Sequence, residues 1–352
     1  MAAVTVRPMQ GLQILDALPD GFLDCAPRDL HRLFPGPALI ELPGRRESPL
    51  FVSVLLHGNE VSGLEAVQQV IRKQTGKTLP RALMLLIGNP GAASEGVRRL
   101  DGQPDYNRVW PGTPDHAATP EAAAMAEVHD RVIARGAFAA VDLHNNTGLN
   151  PHYGVVCSLD VHTLQLALLF SRIAVWFRGM PGTQTAAFAG KIPAIAAECG
   201  QPGVPANAQA AERLVEAALN LAEFPDHPVR HEDIDLYHTV AIVRVRPEVG
   251  MGFGDASAEL CLDPRLDHMN FRELDSGACF GETSHPMPLA AVDEEGRDVS
   301  TAFFAVAEGK LRLSRGAMPA MLSCDERIVR QDCLCYLMER VPAERIPSAV
   351  GA

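Results

Sequence analysis

His57-Gly58-Asn59-Glu60 directly follows an apolar run, Leu50 to Leu56. An imidazole and a carboxylate three residues apart, on a turn that enters a helix, point the same way, and that pair suits zinc. Two ligands do not make a metal site, and Glu60 alone also reads as a helix-start carboxylate favoured by the dipole. A third ligand is offered by Asp142-Leu143-His144-Asn145-Asn146-Thr147-Gly148. His144 closes a second apolar run, and Asp142, two residues back on the same strand face, can orient its imidazole. A catalytic zinc keeps one position open for water and needs a base. The candidate base is Glu198, at the end of Ile192-Pro193-Ala194-Ile195-Ala196-Ala197. Burying an unpaired carboxylate there is costly, so it needs a salt-bridge partner or a task. A fourth polar stretch runs from Arg98 and Arg99 to Asn107, Arg108 and Trp110. Guanidinium groups there can fork a carboxylate or stabilise an oxyanion, with Asn107 as a directional donor. Cys333 and Cys335 could share a metal, but no second Cys pair or nearby His-x-x-His completes four ligands.

These residues need rigid elements to bring them together. The runs 50–56, 83–88, 139–143, 154–157, 173–177 and 192–197 are short and apolar, as strands buried on both faces should be. Between them, residues 121–135 and 207–222 carry apolar side chains at helical spacing, the second behind a possible Asn207 cap. Strands alternating with helices imply a layered α/β domain with a mostly parallel sheet. His57, His144 and Glu198 each follow a strand directly, and the carboxyl ends of strands are where such sheets bind ligands. Near Phe224-Pro225-Asp226-His227-Pro228 the texture changes to short β-like runs, 239–246, 277–280, 290–292 and 301–307. The expected division is a domain over 1–227, of which 1–45 is an extension of unclear role, and a smaller β-rich domain over 228–352.

The 352 residues carry a net charge of −12, and only 5% are aromatic. That balance is poor for phosphate backbones and for base stacking, so nucleic acid is not an expected partner. No run nears the roughly 20 apolar residues of a membrane span. Met1 to Leu15 shows no secretion signal, so a cytoplasmic location and reduced cysteines are expected. The oligomeric state is left open, a homo-oligomer included.

With these pieces together, the sequence resembles the succinylglutamate desuccinylase and aspartoacylase group, related to zinc carboxypeptidases. The resemblance rests on His57-Gly58-Asn59-Glu60, Asn89-Pro90-Gly91-Ala92, Asp105 to Trp110, Asp142 to Gly148 and Glu198-Cys199-Gly200-Gln201-Pro202, in the family's order. It implies a zinc-carboxypeptidase-like α/β domain and one zinc per chain, held by His57, Glu60 and His144. Glu198 would act as the base, and Asn107 and Arg108 would grip a substrate carboxylate. An upstream arginine should polarise the scissile carbonyl; Arg98 and Arg99 both fit, and Arg99 is preferred. Two features depart from aspartoacylase. Thr185 to Gly190 contains no arginine before the catalytic glutamate, and Leu311 stands where the family's C-terminal tyrosine is expected. The expected activity is a zinc-dependent amidohydrolase acting on a small N-acyl amino acid or similar amide. The alternatives are a carboxypeptidase-type peptidase and a non-catalytic metal- or ligand-binding protein.

Overall fold

The marked apolar runs become strands in the computed structural model, which describes residues 11–178 and 180–347. The first ten residues of the expected extension lie outside the described residues. The strands of the amino-terminal region are β1 (Gln13–Leu15), β2 (Ala38–Leu42), β3 (Gly44–Val54), β4 (Leu79–Ile87), β5 (Ala139–His144), β6 (Tyr153–Val156), β7 (Ile173–Trp176) and β8 (Ala194–Glu198). Helices α1 (Ser62–Lys73), α2 (Pro90–Glu95), α3 (Pro120–Ala134), α4 (Val161–Leu168), α5 (Gln184–Phe188) and α6 (Pro205–Asn220) alternate with them. Beyond follow β9 (Asp235–Val245), β10 (Met251–Phe253), β11 (Leu260–Leu262), β12 (Cys279–Thr283), β13 (Leu289–Val292), α7 (Ser300–Phe303), β14 (Phe304–Ala307), β15 (Lys310–Leu313), β16 (Met318–Ala320), α8 (Glu326–Gln331) and β17 (Cys335–Arg340).

Local chemistry corrects some boundaries. The proposed Asn207 cap fails: α6 starts at Pro205, whose fixed φ suits a first turn, with Val204 before it. Asn207 instead donates to the Gln201 carbonyl at 2.8 Å and bonds His152 Nε2 at 2.8 Å. The run 301–307 splits, because Asp298 accepts from the Ser300 amide and hydroxyl and starts a helical turn before β14. β3 ends at Val54 because Leu55 takes a left-handed φ of 56° that swings the chain out of the sheet toward His57.

The large sheet runs β1-β2-β4-β3-β5-β8-β6-β7-β9-β17-β16, with β13 on β9, and mixes parallel and antiparallel pairs. At its middle β4, β3, β5 and β8 are parallel neighbours. Register sets Val54 beside Leu143 and His144 beside Glu198, so the ends of β3, β5 and β8 meet on one rim. One face is covered by α1, α4 and α6 through Leu64, Val67, Leu164, Leu214 and Val215. The other packs on Met125, Val128 and Val132 of α3, Phe188 of α5, and Trp110.

The expected boundary at 227/228 falls in the irregular stretch after α6, and strands beyond it serve two sheets. β9, β13, β16 and β17 extend the large sheet, whereas β10-β11-β12-β15-β14 form a separate five-stranded one. Phe280, Phe304, Leu260, Leu262 and Leu311 pack in the core of this carboxyl-terminal region. The two regions meet closely at Gly148, where an added Cβ would lie 1.8 Å from the Leu322 carbonyl oxygen. No helix of the described residues is long and apolar enough to cross a membrane.

Candidate active site

His57 leaves β3 through the Leu55 turn, and Glu60 lies on the approach to α1. That turn is pressed against α2: a Cβ on Gly58 would lie 2.2 Å from the Ala92 carbonyl carbon, so glycine is required there. The Glu60 carboxylate bridges two imidazoles, 2.7 Å from His57 Nδ1 through Oε1 and 2.7 Å from His144 Nδ1 through Oε2. Ligand atoms of the three residues lie within 4.8 Å of one another, and all three residues are buried. Among the described residues, this is the one such cluster of His, Cys, Asp and Glu. Cys333 and Cys335 are buried outside it.

The far nitrogens of both imidazoles also face carboxylates. Asp142 Oδ2 lies 2.6 Å from His144 Nε2, while its Oδ1 accepts from Ser53 at 2.6 Å. Asp105 Oδ1 lies 3.0 Å from His57 Nε2, an orienting contact that the sequence reading did not assign. Each ring is therefore held with Nδ1 turned toward Glu60, the arrangement that outer carboxylates give metal-binding histidines. Two nitrogens and one carboxylate are a donor set that zinc accepts.

Electrostatics follow from this crowding. Burial opposes the charge on Glu60, but His57 and His144 outweigh it and hold its carboxyl below the usual range. Burial likewise opposes charge on His144, yet Asp142 and Glu60 raise its pKa well above the ordinary value. Glu198 goes the other way: burial pushes its carboxyl up to about 7, against the pull of His144. Its hydrogen bond from Asn146 Nδ2 is long, at 3.3 Å.

Of the two candidate arginines, Arg98 lines the cavity and the preferred Arg99 does not. Arg98 forks Asp105 Oδ2 through Nε at 3.2 Å and Nη2 at 2.9 Å, and its Nη1 lies 3.6 Å from Glu60. Arg99 turns back to the Gln103 carbonyl at 2.6 Å, because its neighbour already holds the inward direction of the loop. Asn107 lies 3.2 Å from His144 Nε2 through Nδ2, and its Oδ1 accepts from the Gln184 amide at 3.0 Å. Arg108 shares a wall with it, donating to the Asn107 carbonyl at 2.8 Å.

These groups line a cavity of about 740 Å³, its mouth included. Glu198 and the His57, Glu60 and His144 cluster stand on its wall, with Arg98, Asn107 and Arg108. Asp142 stands behind them, fully buried. Thr185, from the segment without an arginine, and the nearby Thr183 reach the wall, and Leu311 is buried in the carboxyl-terminal core instead. A carboxyl-terminal phenol is present nonetheless, from Tyr336 of β17, along with Tyr153 of β6. No local pattern announces these two or Asp332, which reach the cavity only through the sheet order.

The model of the succinylglutamate desuccinylase/aspartoacylase catalytic domain matches residues 48–224, the segment that supplies the cluster and Glu198. The chain belongs to the succinylglutamate desuccinylase/aspartoacylase family. Within this family it is 32% identical over 178 residues to a succinylglutamate desuccinylase of Burkholderia pseudomallei, covering 48% of each chain. A succinylglutamate desuccinylase of Pseudomonas aeruginosa is 33% identical over 103 residues, 28% of this chain and 30% of its own. The chain thus spans less than half the length of these curated relatives. The solved structure of the succinylglutamate desuccinylase from Chromobacterium violaceum superposes with a TM-score of 0.55 at 16% identity, over 85% of this chain and 86% of its own. Murine aminoacylase 3 gives 0.55 at 16% over 84% and 96%. At such identity these structures establish the shared fold.

Proposed function

We propose that this family member is a zinc-dependent amidohydrolase that cleaves the amide of a small N-acyl amino acid or a related carboxylate-bearing amide. The observation that carries this reading is the buried His57, Glu60 and His144 cluster beside Glu198 in one cavity. Those three residues would hold one zinc ion, with Asp105 and Asp142 fixing the two rings behind them. Zinc, when bound, supplies a Lewis acid that polarises a carbonyl and lowers the pKa of a coordinated water.

The chain's own residues supply the rest. Glu198 accepts the proton of the attacking water on a carboxylate oxygen and returns it to the leaving amine nitrogen as the C–N bond breaks. Arg98 presents fixed positive charge to the oxygen of the scissile carbonyl as negative charge develops there. Asn107 and Arg108 orient the substrate carboxylate, so that the amide is held against Glu198. Substrate filling the cavity excludes water from these groups and strengthens each of them.

A peptidase of the carboxypeptidase type would use the same groups. Ala320, Met321, Asp332 and Tyr336 of the carboxyl-terminal region wall the cavity, which favours a small amide over a passing chain. Elemental analysis, combined with mass-spectrometric screening of N-acyl amino acids and short peptides with and without chelator, tests this reading. The expected result is one zinc per chain and chelator-sensitive release of a free amino acid. Trimming of peptides alone would favour the peptidase. Bound metal with no hydrolysis of any amide would favour a binding protein.

A further inference from the structure

Both arginines of the cavity are already matched by carboxylates of the chain. Asp332, in the turn between α8 and β17, reaches Arg98 Nη2 through Oδ2 at 3.4 Å and Arg108 Nη2 through Oδ1 at 3.4 Å. Asp105 takes Nε and the same Nη2 of Arg98, whose Nη1 is left toward Glu60. Asp332 is itself sheltered, with 14% of its side chain exposed, and the two guanidiniums hold its carboxyl below the ordinary range despite burial. Among the described residues, Arg98 and Arg108 are the only Lys or Arg side chains on the cavity wall, which also carries the carboxyl groups of Glu60, Glu198 and Asp332. A substrate with two carboxylates would therefore bring a second anion where no unmatched cation awaits it, and like charges so placed repel.

Other parts of the wall have a different character. Val155, Cys157, Val175, Phe177, Met180 and Ala196 form an apolar chamber. Burial holds the Cys157 thiol protonated, with its pKa pushed up to about 12, so this chamber adds no charge. A chamber of this kind gains from an aliphatic or aromatic group removed from water and offers nothing to a carboxylate.

We propose that Asp332 screens Arg98 and Arg108, and that this screening together with the apolar chamber commits the site to N-acyl amino acids bearing one carboxylate and an uncharged apolar arm, at the expense of dicarboxylic ones. The inference rests on the amide-hydrolase reading and narrows its substrate class. Asp332 acts through the two arginines and is a specificity-determining, positioning residue.

The test compares matched substrates on the zinc-loaded, full-length chain: N-acetylmethionine against N-acetylglutamate, and N-pentanoylglycine against N-succinylglycine. In each pair kcat/KM should favour the uncharged arm by at least tenfold. Asp332→Asn should cut that preference by at least tenfold, chiefly by lowering KM for the dicarboxylic member. Parallel loss on both members of a pair would mark Asp332 as merely structural, and a wild-type preference for the dicarboxylic members would overturn the proposal outright. A second measurement does not depend on the variant folding. Pentanoate should stabilise the wild-type protein against heat at a concentration at least tenfold below that of glutarate, and the reverse order would also overturn the proposal. That comparison reads binding alone, so absence of turnover on all four amides would sink the hydrolase reading while the two acids still decide the preference.

Discussion

Glu198→Gln keeps the size of the side chain and removes its ability to take a proton. Glu198 is half-buried at the end of β8. It accepts from Asn146 through one oxygen, and the glutamine carbonyl can accept the same bond, so the fold and the neighbouring cluster should survive. A positioned base contributes about 10²- to 10⁴-fold in rate. The variant should therefore lose that factor in kcat, about 3 to 5 kcal/mol of barrier, while its zinc content stays at one per chain. A second readout comes from the metal-free protein. Burial raises the carboxyl from 4.5 to about 7, a difference of about 3 kcal/mol, which water in the cavity mouth screens to about 2. Because the folded-state value is raised, the stability it confers is complete below the unfolded value and is lost as pH rises through about 7. Glutamine stays neutral, so the metal-free variant should match wild type at pH 4, below the unfolded value, and exceed it by about 2 kcal/mol at pH 8. Chemical denaturation at the two pH values, paired with turnover and metal analysis of the zinc-loaded forms, measures both effects. Turnover within threefold of wild type would refute the assignment of the base, and equal stabilities at pH 8 would refute the electrostatic account of its environment.

Other substitutions separate the remaining roles. His144→Ala should abolish stoichiometric zinc in elemental analysis; full retention would remove His144 from the ligand set. Asp142→Asn leaves the ligands in place but loosens the His144 ring, so zinc affinity in chelator competition should fall by about 10- to 100-fold. Arg98→Ala should lower kcat/KM by about 10²- to 10³-fold, the usual cost of one oxyanion donor; Arg99→Ala, whose guanidinium faces its own loop, should change it little. His57 and His144 both have raised pKa values against ordinary imidazole, and zinc must displace their protons. Zinc affinity should therefore rise with pH through and above the ordinary imidazole range. Affinity independent of pH would contradict that competition.

Much of the scaffold was legible because fully buried strands write themselves as short apolar runs. β5, β6, β7 and β8 lie within two residues of the positions read from the pattern. β3 was seen only in its apolar second half, since Gly44 to Pro49 is polar and pairs with β4 as an outer arm of the strand. β2 was missed altogether, as five residues inside a long irregular approach give no period to detect. Asn207 failed as a cap because a proline two residues earlier had already fixed the start of α6.

The sequence by itself determined that His144 and Glu198 end strands and that His57 comes soon after one, since each closes an apolar run. It also marked Asp142 as the carboxylate behind His144, because alternation along a strand puts residues two apart on one face. Tertiary structure alone decided which loop residues turn inward. Arg98 and Arg99 are equivalent in a pattern, and only the fixed places of Asp105, Glu60 and Asp332 choose between them. It alone brought Asp332 and Tyr336 to the cavity, more than 220 residues from Arg108, by pairing β17 to β9 and β9 to β7. Periodicity records how one element meets water and core. Where two distant elements close on each other depends on strand order and register, which no single segment carries.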